Sequence, residues 1–343
     1  VIAAGGEVAA TGSAGRLVAG AIGLVAAAAL CVVAVVAPSG ANAGGTGGSH
    51  IRVAIVQGGG RRGLDQLQVP PSAVLSAAVK ATAQVPLGAQ LILWPEDVVA
   101  LNGPLVGSST EAELSQIAVA HRATLVAGVT YPVGSTQFRN EIVAFSPAGR
   151  LVATFEKVHR VPFGEYVPWR SFFRHLADLK DIPRDAIAGH GSGMIATPAG
   201  RMAVLVSYEV FFANRGRSGV RASGQVILVP TNTSSYANSQ APAQEIAASR
   251  LQAIEEGRYV LQAAPTGYSA VVNNDGDVLR RTPLSAEAIV SVTVPLLGGA
   301  TWYERLGDWP VLMAALALFV CGCLLALSSP GSTRLRRRTS PST

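Results

Sequence analysis

The chain has 343 residues, of which 49% are hydrophobic and only 14% charged, with a formal net charge of +6. That charged fraction is low for a soluble protein, and the reason is local. The positive charge is local: Arg334, Arg336, Arg337 and Arg338 follow an apolar run, where such a cluster reads as membrane topology rather than as a nucleic-acid patch.

Residues 1–16 read as a short cytoplasmic N-terminus. Residues 17–37, LVAGAIGLVAAAALCVVAVVA, are uncharged, apolar and long enough to span a bilayer. A cleaved signal peptide ending near Ala41-Asn42-Ala43 is the alternative. The apolar run exceeds an ordinary signal core, which favours an uncleaved transmembrane helix. Residues 38–50 form a Gly/Ser/Ala linker with nothing to bury.

Order begins at Ile51 with the strand IRVAIVQ. The GGGRRG that follows lacks a phosphate-loop Lys-Ser/Thr and reads as a turn. Residues 72–85 have helical periodicity through Val74, Leu75, Ala78 and Val79. QLILWPE is a strand ending at Glu96. Thr110 and Glu113 form a capping box for a helix reaching about Arg122. TLVAGVT is a strand, and NEIVAFS and RLVATFE form a hairpin around Pro147-Ala148-Gly149. MAVLVS and QVILVP are buried strands. Residues 241–256 form a helix with Ile246, Leu251 and Ile254 on one side and Gly257 as its C-terminal stop. YVLQAA, YSAVVN, DVLRR and IVSVTV complete a domain over 51–300, with Asn274-Asp275-Gly276 turning the middle pair. The alternation is not a clean βαβ, so a mixed sheet, or two sheets packed together under helices, fits better than a doubly wound parallel sheet.

Residues 309–327 form a second transmembrane helix, preceded by the interfacial aromatics Trp302, Tyr303 and Trp309. Residues 328–343 are a basic cytoplasmic tail by the positive-inside rule. The expectation is a multi-pass cell-membrane protein whose folded domain is extracytoplasmic. The three cysteines, Cys31, Cys321 and Cys323, lie in the apolar runs, so the domain between has no disulfide, no thiol nucleophile and no cysteine zinc site. The five histidines show no metal-ligand spacing.

Polar groups close the apolar runs at Glu96, Lys157, Ser207 and Glu209. Carboxylate, ammonium and nucleophile rigidly placed make an acyl-transfer site: one takes a proton, one stabilises negative charge, one attacks a carbonyl. Spacing alone equally allows solvated strand ends.

LILWPED, FEKVHRVPFGEYVPW, VLVSYEVFF and PTGYSAVVNNDGDV, in that order, resemble the carbon–nitrogen hydrolase (nitrilase) superfamily. KVHRVPFGEYVP, with TNTSSY and SRLQAIEEGRYVLQAAPTGYS, is similar to its apolipoprotein N-acyltransferase branch. The resemblance covers about residues 51 to 295. It implies an αββα sandwich of the nitrilase type, flanked here by one transmembrane helix on each side. It also implies a Glu-Lys-Cys triad falling on Glu96, Lys157 and Ser207, and accessory glutamates at Glu165 and Glu209. The implied activity moves an acyl chain from phospholipid to the N-terminal cysteine of a lipoprotein, with no metal or organic cofactor.

Three departures stand out. Ser207 takes the place of the thiol, and a serine hydroxyl is less acidic than a thiol by roughly five or more units, each about 1.4 kcal/mol. One upstream span is visible where the branch has several, which leaves room for a fragment or for a separate multi-span membrane subunit. Gln252 stands where the branch often has arginine. The competing readings are a catalytically silent homologue that binds lipoprotein or phospholipid, and an amidase for small substrates.

Overall fold

Alternation of side chains along the strands sets the layers. In β1 (His50–Gln57), Ile51, Val53 and Ile55 enter one core while Ala54 and Val56 enter another. A strand that is apolar on both faces needs cover on both. The structure, a computed structural model, describes residues 49–61, 68–176, 178–179, 182–236 and 239–328, together with Gly23.

The first sheet runs β14 (Ala288–Pro295), β1, β2 (Leu91–Leu93), β4 (Thr124–Val133), β5 (Gln137–Phe145), β6 (Leu151–Glu156), with β3 (Val99–Ala100) on β4 and β7 (Asp185–Ala186) on β5. β1, β2 and β4 are parallel, whereas β14, β5 and β6 join antiparallel. The second sheet runs β13 (Val278–Arg281), β12 (Ala270–Val272), β11 (Val260–Ala263), β10 (Val226–Pro230), β9 (Gly200–Val204), β8 (Met194–Thr197). Its centre, β9-β10-β11, is parallel, and its edges are antiparallel.

The sheets face each other through one core, in which Val53, Ile55, Leu93, Val126 and Ile142 meet Met202, Val204, Leu228 and Leu261. The outer face of the first sheet is covered by α1 (Pro71–Thr82) and α2 (Ser109–His121), through Ala78, Ala81, Leu114 and Ala118. The outer face of the second is covered by α4 (Ala213–Arg221) and α5 (Ala241–Glu256), through Val220, Ala248 and Ala253. Helix, sheet, sheet, helix is therefore the layer order. The short α3 (Arg170–Phe173) lies in the β6–β7 connection and α6 (Trp302–Leu306) follows β14.

Residues 38–305 form one compact unit, and the helix α7 (Trp309–Ser328) belongs to another. The second apolar stretch is thus helical; among the described residues, no helix is long and apolar enough to cross a membrane. The first stretch, 17–37, lies outside the described residues apart from Gly23, as do most of the linker and the basic tail.

Local chemistry departs from the sequence reading at several points. The cap of α2 sits two residues earlier: Ser108 Oγ accepts from Glu111 N–H at 3.1 Å, while Glu111 accepts from Gly107 N–H at 2.6 Å rather than from the cap's own N–H. β2 stops at Leu93, and Glu96 lies in the loop beyond it. In α5 Leu251 is 59% and Ile254 40% exposed, so of the three apolar positions only Ile246 faces inward. Beside Ile246, the buried positions are Pro242, Glu245, Ala248, Ser249, Gln252, Ala253 and Glu256. This helix packs against a polar turn, which selects small and hydrogen-bonding residues over leucine and isoleucine.

Candidate active site

Glu96 leaves β2 through Trp94 and Pro95. Trp94 N–H donates to Val126 O at 2.8 Å and Gly128 N–H to Pro95 O at 3.1 Å, which lays the loop on β4. Only glycine fits at 128: a Cβ there would lie 2.6 Å from Glu96 Cα and from Pro95 O. Glu96 is buried, and its Oε1 accepts from Asn140 Nδ2 and from Lys157 Nζ, both at 2.8 Å.

Lys157 follows β6, and its N–H donates to Asn140 O at 3.0 Å, so one asparagine positions both charges. The lysine side chain is 1% exposed and its ammonium lies between Glu96 and Glu165. Burial alone would push this ammonium down; the two carboxylates outweigh it and hold it above the usual lysine range. Glu165 also accepts from Val161 N–H at 2.9 Å. Burial raises its carboxyl against the pull of Lys157, and repulsion from Glu96 adds to the rise.

Glu209 makes a different set of contacts. It accepts from Val206 N–H in its own turn at 2.9 Å, and from Val158 and His159 N–H at 2.9 and 3.0 Å. A fully buried carboxylate thus ties the turn carrying Ser207 to the loop after Lys157.

Ser207 opens the tight turn Ser207–Phe211 beyond β9, with φ +49°, a left-handed conformation uncommon outside glycine. Its hydroxyl, 8% exposed as a residue, donates to Glu245 Oε1 at 3.3 Å and lies 3.1 Å from Thr231 Oγ1. Thr231, at the end of β10, also donates to Glu245 Oε1 at 2.6 Å. Neither Glu96 nor Lys157 is a hydrogen-bond partner of Ser207. The structure therefore joins Glu96, Lys157 and Glu165 directly and connects Ser207 to a fourth carboxylate, Glu245. Burial pushes Glu245 up to about 7, the charge of Glu96 adds to the rise, and Lys157 and the two hydroxyls counter it.

Asp97, half-buried with φ +57°, is pushed up to about 8 by burial and by Glu96. It lines two cavities, of about 630 and 360 Å³, which share Asp97, Ala100 and Thr130. Asn232 lines the larger cavity and points its amide at Asp97 from 3.4 Å. Among the described residues no group of histidine, cysteine and carboxylate side chains has metal-binding geometry.

Sequence reasoning missed Glu245, Thr231, Asn140 and Asp97. A signal for Glu245 existed: positions 245, 249, 252 and 256 repeat at helical spacing and are all polar. That stripe was masked by Leu251 and Ile254, which suggested the opposite face.

A family model described as carbon-nitrogen hydrolase matches residues 52–303. Apolipoprotein N-acyltransferase of Mycolicibacterium smegmatis is 30% identical over 339 residues, covering 94% of this chain and 56% of that protein. The protein of the same name from Gloeobacter violaceus is 33% identical over 255 residues, covering 73% and 47%. The chain spans about half the length of these curated relatives. Among solved structures, an amidase from Nesterenkonia sp. superposes with a TM-score of 0.54 at 21% identity, over 79% of this chain and 97% of that one. Saccharomyces cerevisiae Nit3, a member of the nitrilase superfamily, superposes at 0.53 and 19%, over 72% and 90%. These two likenesses concern the fold.

Proposed function

The chain belongs to the carbon–nitrogen hydrolase family, and from that premise we propose that it is an N-acyltransferase of the apolipoprotein type. It would carry an acyl chain from a phospholipid to the amine of a lipoprotein's N-terminal cysteine. The observation that supports this best is the buried Glu96–Lys157–Glu165 cluster, a fixed positive charge between two carboxylates held on loops. Burial strengthens such a charge toward a developing oxyanion, because little water is present to screen it.

In this reading Ser207 Oγ attacks the acyl carbonyl, forming an oxygen ester while the lysophospholipid leaves with a proton. The lipoprotein amine then attacks the ester, an amide forms, and the Ser207 hydroxyl is restored. Lys157 stabilises the tetrahedral oxyanions, Glu96 transfers a proton, and Glu165 and Glu209 hold the lysine and the serine turn. An oxygen ester is less reactive toward amines than a thioester, so turnover is slow. In this reading the apolar stretch 17–37 anchors the chain, with the domain outside the cytoplasm.

The test is incubation of the purified chain with mixed phosphatidylethanolamine and phosphatidylglycerol vesicles and a peptide bearing an N-terminal diacylglyceryl-cysteine. The expected products are N-acylated peptide and lysophospholipid, read by mass spectrometry. Folded protein that yields neither is a silent homologue. Hydrolysis of small amides without peptide acylation would instead support an amidase.

A further inference from the structure

Glu96 already serves Asn140 and Lys157, while the hydroxyl of Ser207 rests on another carboxylate. We propose that Glu245 is the proton acceptor for Ser207, with Thr231 holding the pair in register, so that the first acyl-transfer step runs through a Ser207–Glu245 dyad and Glu96 is left for the amine. The assignment rests on the acyl-transfer reading above and adds to it a catalytic residue and a division of labour between carboxylates.

Three observations carry it. Glu245 is 3% exposed and sits on α5, a rigid element packed on the turn that starts at Ser207. Its Oε1 is within hydrogen-bond reach of Ser207 Oγ, which a general base requires. Its Oε2 is buried without a hydrogen-bond partner, so the carboxylate is poorly stabilised by its surroundings and readily takes the Ser207 proton on Oε1. Burial of this carboxylate also makes it more basic than an ordinary glutamate, which suits a hydroxyl better than it would a thiol.

The step balances. As the Ser207 Oγ–acyl carbon bond forms, the hydroxyl proton passes to Glu245. The tetrahedral intermediate collapses, the acyl carbon–oxygen bond to the leaving alcohol breaks, and that oxygen takes the proton back from Glu245. Charged groups around Glu245 are Glu96, whose charge raises its proton affinity, and Lys157, which lowers it. From the turn, Glu209 is engaged with backbone N–H groups. From α4, Arg215 reaches Gly191 O at 3.0 Å and Glu209 at 3.5 Å. From β11, Gln262 accepts from Ser249 at 2.7 Å.

The experiment is acylation of the full chain by p-nitrophenyl butyrate between pH 5 and 9, read as nitrophenolate release and as butyryl mass located on residue 207. The wild-type rate should rise with pH through a limb near 7, as Glu245 ionises. Glu245→Gln should lose about 100-fold or more of the rate, together with the limb. Glu96→Gln should keep a limb, moved downward because the charge that raises Glu245 is gone. Thr231→Val, which removes a hydrogen bond to the ionised form, should move the limb upward and covers the case of a Glu245→Gln chain that does not fold. Acylation at Ser207 with a limb in the ordinary carboxylate range, or one lost only in Glu96→Gln, overturns the dyad while leaving acyl transfer standing. No mass on Ser207 in folded wild type overturns both.

Discussion

Replacing Lys157 by methionine should unbalance the buried cluster in a way that pH reports. The ammonium is 1% exposed and contacts Glu96 and Glu165. Methionine has similar volume and no charge, so the packing survives while two carboxylates lose their counter-ion. Breaking a buried pair from one side typically costs about 3–5 kcal/mol. In a domain of this size each kcal/mol moves Tm by roughly 2–4 °C, so a fall of about 6–20 °C is expected at neutral pH. Glu96 keeps its bond from Asn140 and Glu165 keeps Val161 N–H, which argues for the lower half of that range. The sign with pH follows from linkage. Glu165, whose carboxyl burial already raises, loses in the variant the lysine charge that held it down. A raised carboxylate exerts no penalty below its unfolded pKa and its full penalty above its folded one. The deficit relative to wild type should therefore be larger at pH 8 than at pH 5. Urea unfolding of the detergent-purified chain, followed by tryptophan fluorescence at both values, measures it. Adding Glu96→Gln should recover part of the loss, because one uncompensated charge disappears with the lysine. A deficit under about 1 kcal/mol, as for an exposed pair, or one independent of pH, would refute the view that these charges stabilise one another in a dry site.

Ser207→Cys should speed formation of the acyl-enzyme from phospholipid, because a thiol is more acidic than a hydroxyl by several units; intact mass after incubation with vesicles checks it, and an unmodified, folded variant counts against Ser207 as nucleophile. Gly128→Ala should cost about 1–3 kcal/mol and displace Glu96, since the new Cβ meets its Cα at 2.6 Å; unchanged thermal stability and unchanged acylation rate would show that the loop has room to shift. Asp97→Asn keeps a side chain that tolerates the left-handed backbone. It removes a carboxyl whose pKa is raised to about 8, so the penalty that wild type accumulates between pH 4 and 8 should vanish. The variant's Tm advantage should grow from pH 5 to pH 8, and an equal difference at both values would contradict a raised Asp97.

Much of this molecule is legible in its residues. The apolar run in IRVAIVQ announces a strand, and the structure covers both of its faces. The helix 241–256, with Gly257 at φ +61° as its stop, follows from periodicity and a left-handed cap that glycine adopts without strain. Glu96, Lys157 and Ser207 were findable because charged or polar groups closing apolar runs are conspicuous. Their partners were not. Asn140, Thr231 and Glu245 lie 44, 24 and 38 positions from the groups they bind, and no local pattern encodes which side chains two packed sheets bring together. Periodicity also leaves the inward face of a helix open when that face is polar. In α5 the apolar Leu251 and Ile254 ended in solvent, and Glu245 ended against Ser207. That choice belongs to tertiary packing. The turn at Ser207 offers hydroxyl and backbone groups that must be hydrogen-bonded once water is excluded, and Glu245 and Gln252 of the helix meet several of them, at the Ser207 hydroxyl and at Val210 and Phe212 O.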